Sequence, residues 1–255
     1  MIHKTAIVHP KAKIGSGCEI GPYCVIGEHV ALGGGCKLHS HVVIDGYTKL
    51  GRENEIFPFA SIGLKTQDLK WKGGVTRAEI GDGNTFREYV TIHSATGDGE
   101  VTRVGSHNTI LAYCHVAHNC TLGSRIIMSN VATLAGHVTV EDYAVIGGLA
   151  AVHQFCRIGK MAMIGGCSKV VQDVPPFMMA DGNPAETRTV NKTGMERNGI
   201  SEKAQSALRQ AYKTLFREGL TVSNAITKVE EQLPPLPEVR YLVVFIRASE
   251  RGISK

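Results

Sequence analysis

The chain has 255 residues, of which 20% are charged, with a formal net charge of +5; that fits one large globular domain or one domain with a small appendage. No run approaches the roughly 20 apolar residues needed to span a bilayer, and the N-terminal MIHKTAIVHPKAKIG has no apolar h-region, so seven cysteines read as reduced thiols of a cytoplasmic protein rather than a disulfide scaffold. The positive charge is mild and evenly spread, which suits an anionic partner and does not indicate nucleic-acid binding.

Along the chain, an aliphatic residue recurs every sixth position from Ile2 through Val8, Ile14, Ile20 and onward to Ile62. The register resumes at Ile80, Phe86 and Ile92, and again from Val104 through Ile110 and Val116 to Val170. A period of six matches neither a helix nor a long alternating strand. It predicts short strands of four or five residues broken by a turn at each repeat and coiled into a parallel β-helix, three hexapeptides to a coil. The position four after the anchors is restricted and mostly small, and Cys18, Cys24, Cys36, Cys114, Cys120 and Cys156 all occupy it. These thiols therefore read as packing, with no metal or redox role.

Two stretches interrupt the register. Residues 64–79 carry the only tryptophan, Trp71, and residues 93–103 are glycine-rich and polar. Both are predicted as loops thrust from a rigid scaffold, where binding groups tend to sit. The β-helix is predicted over residues 1–186 and a helical domain over 187–255. In that tail Ser201 is a candidate N-cap, Ser223–Leu233 and Val239–Ala248 read as further helices, and Pro234–Pro237 as the break between them.

One coil maps each residue onto its neighbour. His118 is then followed by Gly136, Asn119 by His137, and Ala117 by Ala135 and His153, which places several imidazoles on one patch of wall. Histidine suits general-base work near neutral pH, and Gly136 leaves room over the ring while baring a backbone N–H for an oxyanion. No ligand spacing for zinc is present.

These features resemble the hexapeptide acyltransferases, whose fold is a left-handed parallel β-helix, typically trimeric, with active sites between subunits. Within them FASIGLKTQDLKW (59–71), VTIH (90–93), HVAHNCTLG (115–123), AVHQFCRIG (151–159), GGCSKVVQDVPP (165–176) and the helical tail are similar to the acyl-carrier-protein–UDP-N-acetylglucosamine O-acyltransferase family of lipid A synthesis. The resemblance implies transfer of an (R)-3-hydroxyacyl group from acyl carrier protein to the 3-hydroxyl of UDP-N-acetylglucosamine, in a cytoplasmic homotrimer with no cofactor or metal. It makes His118 the general base and Gly136 the oxyanion donor, with Asn119 behind the base where Asp is common. Asp68 and Lys70 would contact substrate from a neighbouring subunit, His115 and His137 would orient it, and Gln67 and His93 would also bind it. His153 and Gln154 would approach the diphosphate, Asn191 and Arg197 the nucleotide, and Gly166 would set acyl length. Asn198 and Thr193 depart from the residues common at the nucleotide site. The other readings are the later N-acyltransferase, disfavoured because the repeat starts at residue 2, a CoA-dependent acetyltransferase, and a non-catalytic sugar-nucleotide-binding scaffold.

Overall fold

A computed structural model describes all 255 residues. The hexapeptides wind into a triangular prism, a left-handed parallel β-helix walled by three parallel sheets. The first sheet runs from Ile7–Val8 to Lys169–Val170 and the second from Lys13–Ile14 to Arg157–Ile158. The third begins at Glu19–Ile20 and ends in an antiparallel hairpin, Met178–Gly182 with Ala185–Val190. Where no loop intervenes the register advances one coil at a time, as Ile127 to Val145 and Met128 to Ile146.

The sixth-residue anchors point inward and are the core. Val116, Leu122 and Met128, one from each wall of a single coil, are buried, as are the residues above and below them. Burying such a side chain contributes about 1.5–3 kcal/mol, and the cluster they form contains 42 residues. The six inward cysteines are buried with it, while Cys167 is exposed. Most ladder segments are two residues long rather than four or five, because the corner turns take up the rest of each hexapeptide. The four-residue strands stand beside the loops, at Tyr47–Leu50, Ser61–Leu64, Arg77–Ile80 and Val101–Val104.

The small inward column also holds three asparagines. Asn54, Asn84 and Asn108 are buried and stacked. Asn84 Nδ2 donates to Asn54 Oδ1 at 2.9 Å, the Asn108 N–H donates to Asn84 Oδ1 at 2.9 Å, and the Ile126 N–H donates to Asn108 Oδ1 at 2.7 Å. A column of amides is tolerated in an apolar core because each member satisfies the next.

Four helices follow: α1 (Lys192–Arg197), α2 (Glu202–Phe216), α3 (Val222–Gln232) and α4 (Pro237–Arg247). Ser201 caps α2, accepting from the Ala204 N–H. Pro237 does not break a helix but begins α4, where a missing N–H costs nothing. Helix α1 and the hairpin carry no period of six and were not foreseen. The boundary expected after residue 186 falls inside the strand Ala185–Val190. The helices share a second core with Met161, Phe177 and Met178 of the last coils, and the C-terminal residues lace back onto the prism: the Ser254 N–H donates to Asp173 O and Ser249 Oγ to Asp173 Oδ2. No helix is long and apolar enough to cross a membrane.

Candidate active site

The site stands at the corner between the first and second sheets. His115 opens the strand His115–Val116, and the chain turns through Ala117, His118 and Asn119 into the second sheet at Thr121–Leu122. Asn119 adopts a φ of 60° there, and His137, one coil above, a φ of 59°. The corner stacks as the repeat demands: the His137 N–H donates to His118 O and the Phe155 N–H to Gly136 O. Gly136 lies directly over the His118 ring. A Cβ at that position would collide with Cε1 and Nε2 of the imidazole, so glycine is required for the ring to sit there. The Gly136 N–H makes no hydrogen bond within the chain.

The His118 ring is held at one nitrogen and faces a carboxylate at the other. Nδ1 lies 3.0 Å from Asn119 Oδ1, and Nε2 lies 3.7 Å from Asp68 Oδ2. The second distance is too long for a hydrogen bond and leaves Nε2 open to a reacting group. Asp68 is fixed by its own turn, accepting from the Lys70 N–H at 2.9 Å. That hydrogen bond, with the His118 and Lys70 charges, holds its carboxyl below the usual range. The loop bearing it spans 65–76 between the strands Ser61–Leu64 and Arg77–Ile80, slightly shorter than expected. Asp68 was expected to enter from a neighbouring subunit, but it reaches His118 within one chain, because this loop leaves the same wall that carries the histidines.

Around this pair the structure gathers further imidazoles. His137 meets His118 edge to face at 5.3 Å, and His93 meets His115 the same way at 5.2 Å. Burial pushes His93 down to about 4, with the His115 and His118 charges acting the same way. Burial likewise lowers His115 and His137, each also beside His118. Thr91 Oγ1 sits 2.7 Å from His115 Nδ1 and fixes that ring. These groups do not form a cluster of three or more that could hold a metal ion. Gln67 and Lys70 are exposed on the loop beside Asp68, and His153 and Gln154 are exposed above the corner.

Three expected residues lie elsewhere in the chain. Gly166 is exposed at the corner between the third and first sheets, above Gly148. Asn191 is buried as the N-cap of α1: its Oδ1 accepts from the Gly194 N–H, and its Nδ2 donates to Met161 O. Both ends of its amide are thus engaged in the fold. Arg197 ends the same helix and is exposed. One chain does not bring these three to His118.

Other residues join the site unannounced. Asn119 Nδ2 donates to Glu100 Oε2 at 2.7 Å, and its backbone N–H donates to Thr102 Oγ1 at 2.8 Å. Arg251, from the last residues of the chain, places Nη2 3.4 Å from His153 Nδ1. The loop context of Glu100 was visible in the sequence; nothing there pointed to Arg251, which is 98 residues from its partner.

Comparison with known proteins gives a consistent result. The family model described as Udp N-acetylglucosamine O-acyltransferase, domain 2, matches residues 173–254, and the bacterial transferase hexapeptide model matches residues 1–34 and 11–46. The acyl-[acyl-carrier-protein]–UDP-N-acetylglucosamine O-acyltransferase of Thermodesulfovibrio yellowstonii is 53% identical, over 100% of this chain and 99% of its own. The structure of LpxA from Acinetobacter baumannii superposes with a TM-score of 0.96 at 46% identity, covering 100% of this chain and 99% of that one. That of the Francisella novicida UDP-N-acetylglucosamine acyltransferase gives 0.96 at 39%, over 100% and 94%.

Proposed function

The chain belongs to the acyl-[acyl-carrier-protein]–UDP-N-acetylglucosamine O-acyltransferase family, and from this and the corner geometry we propose that it moves a 3-hydroxyacyl group from acyl carrier protein to the sugar 3-hydroxyl of UDP-N-acetylglucosamine, the opening step of lipid A synthesis in the cytoplasm. The observation that carries the catalytic reading is the His118 imidazole held between Asn119 Oδ1 and Asp68 under the bare glycine at 136.

In this mechanism the Asn119 carbonyl accepts a hydrogen bond from the His118 Nδ1–H, which keeps the proton on Nδ1 and leaves the Nε2 lone pair free. Nε2 takes the sugar hydroxyl proton as that oxygen bonds to the thioester carbon. The carbonyl oxygen gathers negative charge and is met by the unpaired Gly136 N–H. Collapse breaks the carbon–sulfur bond, and the imidazolium returns its proton to the departing thiolate. Asp68, near Nε2, favours the imidazolium electrostatically and is placed to orient the sugar. The uncharged His93, buried, and His115, half-buried, line the way to it without adding competing positive charge. Gln67, Lys70, His137, His153 and Gln154 contribute polar contacts to the sugar and diphosphate.

The assembly we infer is a homotrimer. Its support is an uncharged first face, whose outward residues are Ile7, Val25, Val43, Ser61, Thr91, His115, Thr133 and Ala151 before Lys169. The third–first corner beside it is an exposed stripe in which Tyr23, His41, Phe59, Tyr89 and Tyr113 stack in turn. Turning that face to a three-fold axis sets this corner of one subunit against the His118 corner of the next. A neighbour's Gly166 then faces the pocket about 13 Å above His118, from the usual strand spacing, and a side chain there would shorten the acyl channel. Arg197 and α1 would likewise reach the nucleotide across the interface.

The deciding experiment is His118→Ala, assayed with 3-hydroxyacyl carrier protein and UDP-N-acetylglucosamine. Loss of kcat by about a hundredfold or more is expected for a missing general base. Retention of a tenth of wild-type turnover would remove the assignment.

A further inference from the structure

Asn119 has one end that donates and one that accepts, and its neighbours decide which end faces His118. Glu100 Oε2 lies 2.7 Å from Nδ2 and, as a carboxylate, can only accept. On the opposite side the Thr96 N–H lies 3.1 Å from Oδ1 and can only donate. Together they turn the amide so that Oδ1 meets His118 Nδ1 at 3.0 Å. An oxygen there can be satisfied only by an N–H, so the ring proton sits on Nδ1 and the lone pair on Nε2. Glu100 is itself anchored, accepting from the Gly97 N–H at 2.8 Å.

We propose that Glu100 is a positioning residue for catalysis: through the Asn119 amide it selects the His118 tautomer whose Nε2 is the base, and it supplies, one residue removed, the negative charge that backs the imidazolium. The inference rests on His118 being the base. The second loop, residues 94–100, then does more than wall the pocket, because its one carboxylate bonded to the corner sets the polarity of a three-member chain running from Glu100 through Asn119 to His118. The other ionisable groups facing this imidazole are Asp68 on the first loop and His93, His115 and His137 on the wall, with Lys70 beside Asp68.

The arrangement predicts an exchange. In Asn119→Asp alone, two carboxylates would meet where an amide and a carboxylate now bond, and one must hold a proton or move away. In Glu100→Gln alone, the amide at 119 loses the partner that dictates its orientation. When both substitutions are combined, the amide introduced at position 100 donates to the carboxylate introduced at position 119. That carboxylate accepts the His118 Nδ1 proton directly, so a working chain is rebuilt with the roles reversed.

Steady-state kinetics and pH–rate profiles of the wild type, both single variants and the double variant test this, with His118→Ala alongside. Glu100→Gln should lower kcat about tenfold, with KM for both substrates within about twofold, as befits an orienting group felt in the transition state. Asn119→Asp should lower kcat and shift the acid limb of the profile, and the double variant should return to within about threefold of wild type. A loosened loop would raise KM and make the two losses multiply. Glu100→Gln with wild-type kcat, or a double variant at the product of the single losses, overturns the inference even when His118→Ala is inactive. An active His118→Ala overturns the base assignment and the Glu100 inference with it.

Discussion

At the scale of single residues, the site depends on the absence of one side chain. Gly136→Ala would place a methyl group in the His118 ring, and the imidazole must tilt away from the position that faces both Asp68 and the oxyanion donor. A loss in kcat of about a hundredfold is expected from displacing such an electrostatic constellation, and steady-state kinetics on the variant checks it. The pairing of His118 with Gly136 was legible in the sequence because the coil fixes which residue lies above which. The partner of Asn119 was not. Glu100 sits in a stretch without the repeat, so its distance along the chain says nothing about where its carboxylate falls.

At the scale of the element, the prism relies on columns rather than on individual strands, whose ladders are mostly two residues long. The buried asparagine column shows what that costs when it is broken. Asn84→Ala leaves the Asn108 N–H without its acceptor and strips Asn54 Oδ1 of its side-chain donor. Asn54 Oδ1 keeps the Asn84 backbone N–H at 3.0 Å, so one buried donor is stranded; a drop of about 1–3 kcal/mol in unfolding free energy is expected on that basis, read from the urea midpoint. The sequence marked this column as small and inward. It did not reveal that the amides bond to one another, since nothing in the spacing distinguishes a stacked, satisfied asparagine from one turned to solvent.

At the scale of the whole molecule, two consequences follow. His93 sits at about 4 in the folded chain against 6.5 when exposed, chiefly through burial. Between those values the unfolded chain binds the extra proton, so stability falls as pH drops through the window and is fully present above it. The share due to this group is on the order of 3 kcal/mol, and His93→Gln should flatten the pH dependence of urea unfolding between pH 6.5 and 4 by a comparable amount. The second consequence concerns the assembly. At Gly166 a Cβ would meet only Gly148 O, at 3.3 Å, so larger side chains can be carried without unfolding the coil. Gly166→Met should shift the product profile toward shorter acyl chains, measured by mass spectrometry on a mixture of hydroxyacyl donors; an unchanged profile would remove the length-setting role.

The hexapeptide period was enough to determine the prism, its inward thiols and the stacking of His118 under Gly136. Each coil is tied to the next by backbone hydrogen bonds, and a position in the chain is then a position in space. The entry of Asp68 from the same chain, the bond from Asn119 to Glu100 and the approach of Arg251 to His153 were decided only by the folded loops and tail. Those segments have no ladder to index them, and where their side chains arrive depends on turns, caps and packing that no spacing encodes.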